Sequence, residues 1–177
     1  MRTYFLSTLA ACAALLSANA ALAHTDHSGP ATPAPHSTGH AHNGMPATAS
    51  EQQPWGKAGH AAQVQRTIHL RMTDDMRFAP AHFQVQQGET VRLLVDNAGQ
   101  LQHEIVLGTP ATLDAHAQAM LQHPGMAHSE AFMAHVPAQQ QGELVWTFNR
   151  PGRFDFACLI AGHYQSGMRG TVTVTPQ

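Results

Sequence analysis

The segment that says most about the fold lies near the C-terminus, where residues 158–168 read CLIAGHYQSGM. It places a thiolate, an imidazole and a thioether at intervals of five residues, at Cys158, His163 and Met168. Because the segment connects two predicted strands, it can fold these three side chains around one point. Thiolate and thioether sulfur suit Cu(I), imidazole suits both oxidation states of copper, and a long axial Met bond tunes the reduction potential. The segment therefore indicates a redox-active copper site.

Such a site needs a second imidazole, and His103 is the best candidate. In its predicted strand His103 shares a face with Ile105 and Leu107, and this face should point into the core. Cys158 follows Phe156 in the same register, so two inward-facing ligands can meet at one end of the core. Taken alone, His103 would more often be an ordinary half-buried histidine, and it is the Cys-His-Met loop that favours a metal ligand.

The chain from about Val64 onward consists of short segments with an apolar residue at every second position. Turn sequences such as Asn97-Ala98-Gly99 separate them, which is typical of half-buried β-strands. The alternating residues are Phe83 and Val85; Val91, Leu93 and Val95; Ile105 and Leu107; Leu144, Trp146 and Phe148; Phe154 and Phe156; Val172 and Val174. Six or seven short strands within residues 63–177 predict one all-β domain, a sandwich or small barrel.

Residues 109–137 interrupt this pattern, because they are too many for an ordinary hairpin connection. Helix-forming residues at 111–122, with Pro110 before them, predict a helical insertion. The insertion contains His116, Met120, His123, Met126, His128, Met133 and His135. On a helix the first three share one face and would form a weak clamp for Cu(I). The alternative is that Met120 packs on the barrel while the histidines face water.

The first 23 residues have the features of a secretory signal peptide. Arg2 supplies positive charge, residues 4–16 are almost wholly apolar, and residues 21–23 read ALA, the small-x-small form of a cleavage site. An alternative is lipid attachment at Cys12, although the apolar segment before it is very short. Since no second apolar stretch of about 18 residues follows, the mature chain is not expected to span a membrane.

Cleavage after Ala23 leaves Cys158 as the one cysteine of the mature chain. A lone thiol in an oxidising compartment is open to oxidation unless it is buried or bound to a metal. A buried structural cysteine is the alternative to a metal ligand.

Residues 24–62 are expected to form a disordered tail, because they are rich in Pro, Gly, Ala, Ser and Thr and show no apolar periodicity. They carry His24, His27, His36, His40, His42 and His60, which predict additional weak copper binding. The whole chain has 14 histidines but a net charge of only −2, without a basic patch. These features indicate metal handling and give no sign of a nucleic acid partner.

The chain resembles the cupredoxins, the family of plastocyanin, azurin and pseudoazurin. The segments that carry the resemblance are Asn97-Ala98-Gly99, His103-Glu104, Phe156-Ala157-Cys158, Gly162-His163-Tyr164 and Met168. The similarity covers roughly residues 72–174 and is greatest to periplasmic copper-tolerance cupredoxins of Gram-negative bacteria, in which a histidine-rich tail precedes the copper domain. It implies a Greek-key β-sandwich in the periplasm.

The resemblance also implies the ligands of one type 1 copper, namely His103, Cys158 and His163 in equatorial positions and Met168 in the axial position. The Cys-to-His spacing resembles that of azurin and the His-to-Met spacing that of plastocyanin, so both blue and green copper geometries stay open. Gln165 is the alternative axial ligand, through its oxygen. Asn97 is expected either to hydrogen-bond to the backbone beside Cys158 or to act as a turn residue.

These features together predict a monomeric, non-enzymatic copper protein that transfers single electrons or buffers copper. Apolar Leu159, Ile160 and Ala161 near His163 favour docking of a redox partner protein, whereas the tail favours copper tolerance with a copper donor or acceptor. One alternative is a small copper-dependent oxidase-like enzyme, although the chain has room for only one such domain. Another is a histidine-rich protein that buffers zinc or copper.

Overall fold

The computed structural model describes residues 51–126 and 128–177 and has ten strands there, more than the six or seven predicted, because some short strands carry no alternating apolar residues. The predicted signal peptide and residues 24–50 of the predicted tail lie outside the described residues. Within the described ranges, no helix has the length and apolar character needed to cross a membrane.

The strands form two five-stranded sheets. In spatial order, the first sheet contains β1 (Lys57–Ala58), β8 (Gln141–Phe148), β5 (Glu89–Asn97), β2 (Arg66–Thr73) and β3 (Arg77–Ala79). The second contains β4 (His82–Gln86), β10 (Arg169–Thr175), β9 (Gly152–Ala157), β6 (His103–Gly108) and β7 (Met133–Val136). Strands β2 and β5 pair in parallel, as do β4 and β10, and the other neighbours are antiparallel. The predicted all-β sandwich is confirmed.

The core lies between the sheets and consists of the apolar residues that alternate along each strand. Its largest fully buried side chains include Trp146, Phe148 and Phe156. Strand β6 differs from the others because all six of its residues are buried. His103, Ile105 and Leu107 take the alternate positions along β6, and Ile105 and Leu107 belong to the main core.

A second apolar cluster covers the opposite face of β6. It consists of Val106, Leu113, Ala117, Met120, Met133, Ala157, Leu159 and Tyr164. Three of these residues belong to helix α1 (Pro110–Gln122), which the structure places in the predicted insertion. Strand β6 is therefore buried on both faces because the insertion covers the face that would otherwise meet solvent.

Helix α1 begins as its sequence predicts. Thr109 caps it, accepting a hydrogen bond from the backbone N–H of Thr112, and Pro110 occupies the first turn. Met120 is buried against the β-domain while His123 is exposed, so the interpretation in which Met120 packs inward is confirmed. His116 is only half-buried.

Contacts with the β-domain extend N-terminal of the boundary predicted at residue 63. Trp55 is only 4% exposed, and its carbonyl oxygen accepts a hydrogen bond from Trp146 Nε1 at 3.1 Å. Strand β1 pairs with β8, and residues 61–63 form a 3-10 helix. Residues 51–62 therefore contribute to the domain, because one large aromatic side chain anchors a segment that lacks any apolar periodicity.

Candidate metal centre

Three predicted ligands meet at one end of the sandwich. His103 begins β6 and Cys158 directly follows β9, its antiparallel neighbour. His163 Nδ1 lies 3.2 Å from His103 Nδ1 and 3.3 Å from Cys158 Sγ. The donor atoms of the three residues all lie within 4.8 Å of one another.

The loop of residues 158–168 closes on itself through backbone hydrogen bonds. The N–H of Cys158 donates to the carbonyl of Met168 at 3.0 Å, and the N–H of Met168 donates to the carbonyl of His163 at 3.1 Å. Gly162 and Gly167 take φ angles of 89° and 92°, which other residues rarely adopt. The tight turn thus returns Met168 to the side of Cys158.

The structure distinguishes between the two predicted axial ligands. Met168 is completely buried at this end of the core, whereas Gln165 is exposed. The interior position therefore favours the thioether of Met168 over the amide oxygen of Gln165.

Asp74 orients His103 from outside the metal-binding group. Its Oδ1 lies 3.0 Å from Nε2 of His103, so Nε2 carries the proton and Nδ1 presents its lone pair to the centre. The backbone N–H groups of Gln100 and Leu101 also donate to this carboxylate. These bonds, led by the one from Gln100, lower the pKa of Asp74 below its usual value. The sequence alone does not single out Asp74, since an Asp-Asp pair between two strands is typical of a turn.

Glu104 holds the ligand loop from the other face of β6. Its side chain is completely buried, and Oε1 accepts a hydrogen bond from the backbone N–H of Leu159 at 2.9 Å. Burial raises the pKa of Glu104, and the bond from Leu159 opposes that shift. In the sequence, the sign of this role is an acidic residue next to His103 in a predicted strand. Its burial could not be predicted, because it depends on how the insertion packs.

Of the two roles considered for Asn97, the structure shows the turn residue and gives no hydrogen bond to the backbone beside Cys158. Asn97 Nδ2 instead donates to the carbonyls of Leu101, Val136 and Pro137, and its Oδ1 accepts from the N–H of Gly99. Asn97 therefore fixes the turn that precedes His103, which is the alternative role that the sequence left open.

The donors are suited to a metal that can displace a proton from a thiol. Cys158 is completely buried, and this burial raises the pKa of its thiol to about 12. Burial lowers the pKa of His163, and the electrostatic effect of neighbouring His103 lowers it further. Burial therefore favours the uncharged thiol in the metal-free protein, and a bound cation would favour the thiolate. A sulfur ligand with two imidazoles, beside a buried thioether, fits copper.

The apolar surface predicted around His163 is only partly present. Leu159 is buried, whereas Ile160 is half-buried and Ala161 is exposed. Leu101, which is 48% exposed, adds to this surface from the turn before β6. His163 itself is half-buried and borders a cavity of about 690 Å³, which Leu101, Ile160 and Ala161 also line.

Comparison with known proteins agrees with this geometry. Residues 64–175 match the family described as copper binding proteins, plastocyanin/azurin family. The copper-resistant cuproprotein CopI of Rubrivivax gelatinosus is 48% identical over 139 residues, covering 78% of this chain and 84% of the relative. The Pseudomonas aeruginosa protein of the same name is 36% identical over 159 residues, covering 73% and 87%.

The solved structure of auracyanin B shares the fold. It is 24% identical, with a TM-score of 0.59, over 68% of this chain and 96% of auracyanin B. The two-sheet architecture, the convergent His, Cys and His donors and the family match support one conclusion. The chain belongs to the plastocyanin/azurin family of copper-binding proteins, and it is a cupredoxin similar to the copper-resistant cuproproteins.

Proposed function

We propose that this chain is a periplasmic cupredoxin that binds one type 1 copper ion and serves copper tolerance by exchanging single electrons. Its ligands are His103, Cys158, His163 and Met168. The observation that carries the proposal is the convergence of the first three donor atoms within 4.8 Å of one another, at a buried cysteine. Relatives at 48% and 36% identity are named copper-resistant cuproproteins, which supports the role in tolerance.

The protein contributes a rigid set of donors to this function. A copper ion held by these residues would supply a one-electron couple, and its reduction potential would depend on Met168 and on the surroundings of the Cys158 sulfur. Cys158 is fixed by β9 and the loop, and His103 is fixed by β6 and Asp74. The half-buried His163 lies between the buried thiol and the exposed surface of Leu101 and Ala161. This surface is the proposed contact for a redox partner protein or a copper donor or acceptor.

The metal assignment is tested by replacing Cys158 with Ala in the mature protein. We expect the wild type loaded with Cu(II) to show an intense visible thiolate-to-copper charge-transfer band, and Cys158→Ala to lose it while circular dichroism keeps the β-sheet signal. Ser166→Ala, an exposed change in the same loop, should retain the band. A coloured Cys158→Ala variant would disprove the assignment.

The physiological role is tested in a strain that lacks the gene. If the protein serves copper tolerance, the strain should grow poorly in elevated copper and respire normally without it. The wild-type gene should restore growth, and the Cys158→Ala gene should not. A respiratory defect without added copper, together with normal growth in copper, would instead identify a dedicated electron carrier.

A further inference from the structure

A second group of metal-binding side chains lies beside the outer face of β6. The donor atoms of Glu104, His128 and His135 all lie within 4.8 Å of one another, and none of these residues belongs to the proposed copper ligands. We propose that they bind a divalent cation of the Cu²⁺ and Zn²⁺ class at a site separate from the type 1 centre.

Hydrogen bonds fix which nitrogen of each imidazole is available. His128 Nδ1 lies 2.9 Å from the carbonyl oxygen of Met126, and His135 Nε2 lies 3.1 Å from the carbonyl oxygen of His128. A carbonyl oxygen only accepts, so both of these nitrogens carry protons. In the neutral imidazoles, the remaining nitrogens, His128 Nε2 and His135 Nδ1, therefore present lone pairs. An imidazole whose outer N–H is held by a carbonyl is the usual arrangement of a metal ligand.

The acceptors that face this site lack protein donors. Glu104 Oε2 and His128 Nε2 are buried, and neither has a hydrogen-bond partner among the described residues. Glu104 Oε2 lies 2.9 Å from His135 Nδ1, but the pair is not aligned as a hydrogen bond. Buried acceptors without donors are unfavourable. A cation bound between the carboxylate and the two imidazoles satisfies all three.

The surrounding structure holds these ligands in place and leaves a route for the ion. The ring of His116 packs edge-on against His128, with centroids 4.6 Å apart, and His128 packs against His135 at 5.5 Å. Glu104 is fixed by the bond from Leu159 to its other oxygen. All three ligands border the cavity of about 690 Å³, which opens to solvent beside exposed Met126.

The donor set selects the class of ion. Two imidazoles and one carboxylate suit Zn²⁺ and Cu²⁺, whereas Cu(I) prefers thiolate and thioether sulfur. At equal availability Cu²⁺ binds such sites more tightly than Zn²⁺. Zn²⁺ is the better probe because a d¹⁰ ion does not absorb visible light. The visible band of the type 1 centre can then still report whether the protein is folded.

The test is calorimetric titration of Zn²⁺ into the full mature protein, already loaded with one copper. We expect the double variant His128→Ala, His135→Ala to bind one Zn²⁺ fewer than the wild type. The control His69→Ala removes an exposed histidine from β2 and should change nothing. The wild type and both variants keep the tail and the type 1 ligands. A Zn²⁺ ion that only the double variant fails to bind is therefore assigned to this site, even if the tail also binds Zn²⁺.

Glu104→Gln keeps an acceptor for Leu159 and removes the carboxylate charge. We expect it to weaken binding of this Zn²⁺ equivalent by about 10-fold or more, because the carboxylate is a direct ligand of the ion and even a ligand's hydrogen-bond partner contributes that much. Equal stoichiometry and affinity in the wild type, the double variant and Glu104→Gln would overturn the proposal. If the double variant fails to fold, the Glu104→Gln titration alone decides, because unchanged Zn²⁺ affinity there contradicts a site built on this carboxylate.

Discussion

Glu104 Oε1 accepts a hydrogen bond at 2.9 Å from the backbone N–H of Leu159, the residue that directly follows Cys158. This bond joins β6, which carries His103, to the loop that carries the other predicted copper ligands. Both partners are buried, so water cannot replace the acceptor if it is removed.

Glu104→Ala should therefore destabilise the metal-free protein more than Glu104→Gln does. The Gln side chain keeps an oxygen for Leu159, whereas Ala leaves a buried N–H without a partner, at a cost of about 1–3 kcal/mol. Urea unfolding of the two variants measures the difference. Equal free energies of unfolding would mean that this bond does not stabilise the loop.

Asp74→Ala should weaken copper binding by about 10–100-fold, because His103 loses the group that fixes its proton on Nε2. Asp74→Asn keeps an acceptor oxygen and should lose less. Asp75→Ala, which removes the neighbouring exposed acid, is the matched control. Competition with a chelator of known affinity gives the copper affinities, and a similar loss in both alanine variants would contradict a specific role for Asp74.

Stability should respond to pH through the same carboxylate. The folded protein lowers the pKa of Asp74, chiefly through the N–H of Gln100, so the charged form stabilises the fold. This contribution is complete above the usual pKa of 3.8 and is lost as pH falls through the lower folded value. The stability advantage of the metal-free wild type over Asp74→Asn should therefore shrink in acid. An advantage that grows below pH 3.8 would contradict the direction of the shift.

Met168→Leu should keep the copper and the visible band but raise the reduction potential. Removal of a weak axial donor destabilises Cu(II) more than Cu(I), and Leu fills most of the buried volume. Voltammetry of the loaded protein measures the potential, with Met133→Leu as a control at another buried methionine. Loss of the band, or a lowered potential, would show that Met168 is not the axial ligand.

Trp55→Ala should destabilise the domain by about 3–5 kcal/mol, the usual cost of removing a large buried aromatic side chain. Its indole packs edge-on against Phe132, with ring centroids 5.4 Å apart. Lys57→Ala, an exposed change in β1, should have little effect. Unfolding experiments on both variants test whether residues 51–62 belong energetically to the domain.

Removal of residues 24–50 should lower the number of weakly bound copper ions without changing the visible band. The composition of this segment predicts disorder, so its histidines should gather around Cu(II) only at an ordering cost and bind it more weakly than the folded site does. The truncated chain should begin at Glu51, because a start at Gln63 would also remove buried Trp55. Equal copper stoichiometry with and without residues 24–50 would exclude a metal-binding role for them.

The sequence predicts most of the fold because strand periodicity is a local property. Alternation along residues 89–97 and 141–148 identifies strands, and the residues around α1 identify both of its ends. The convergence of His103 with Cys158 follows from their shared inward register. These features need no knowledge of which strands become neighbours.

The contacts that cannot be predicted from the sequence all depend on long-range packing. Glu104 is polar at a position that would face water if the insertion did not cover β6. Asp74 lies in an ordinary turn, and only the folded chain places it against His103. Trp55 stands alone between Pro54 and Gly56, so no periodic pattern indicates that it is buried. In each case the decisive neighbour lies more than 25 positions away along the chain.

The lengths of the strands also limit how this protein can associate. Among the described residues, the four outermost strands of the two sheets span two to five residues, whereas the inner strands span six to nine. An outer strand presents unpaired N–H and C=O groups on which another chain can add a strand, and short outer strands present few. The short outer strands therefore leave few backbone groups on which a second chain could extend either sheet.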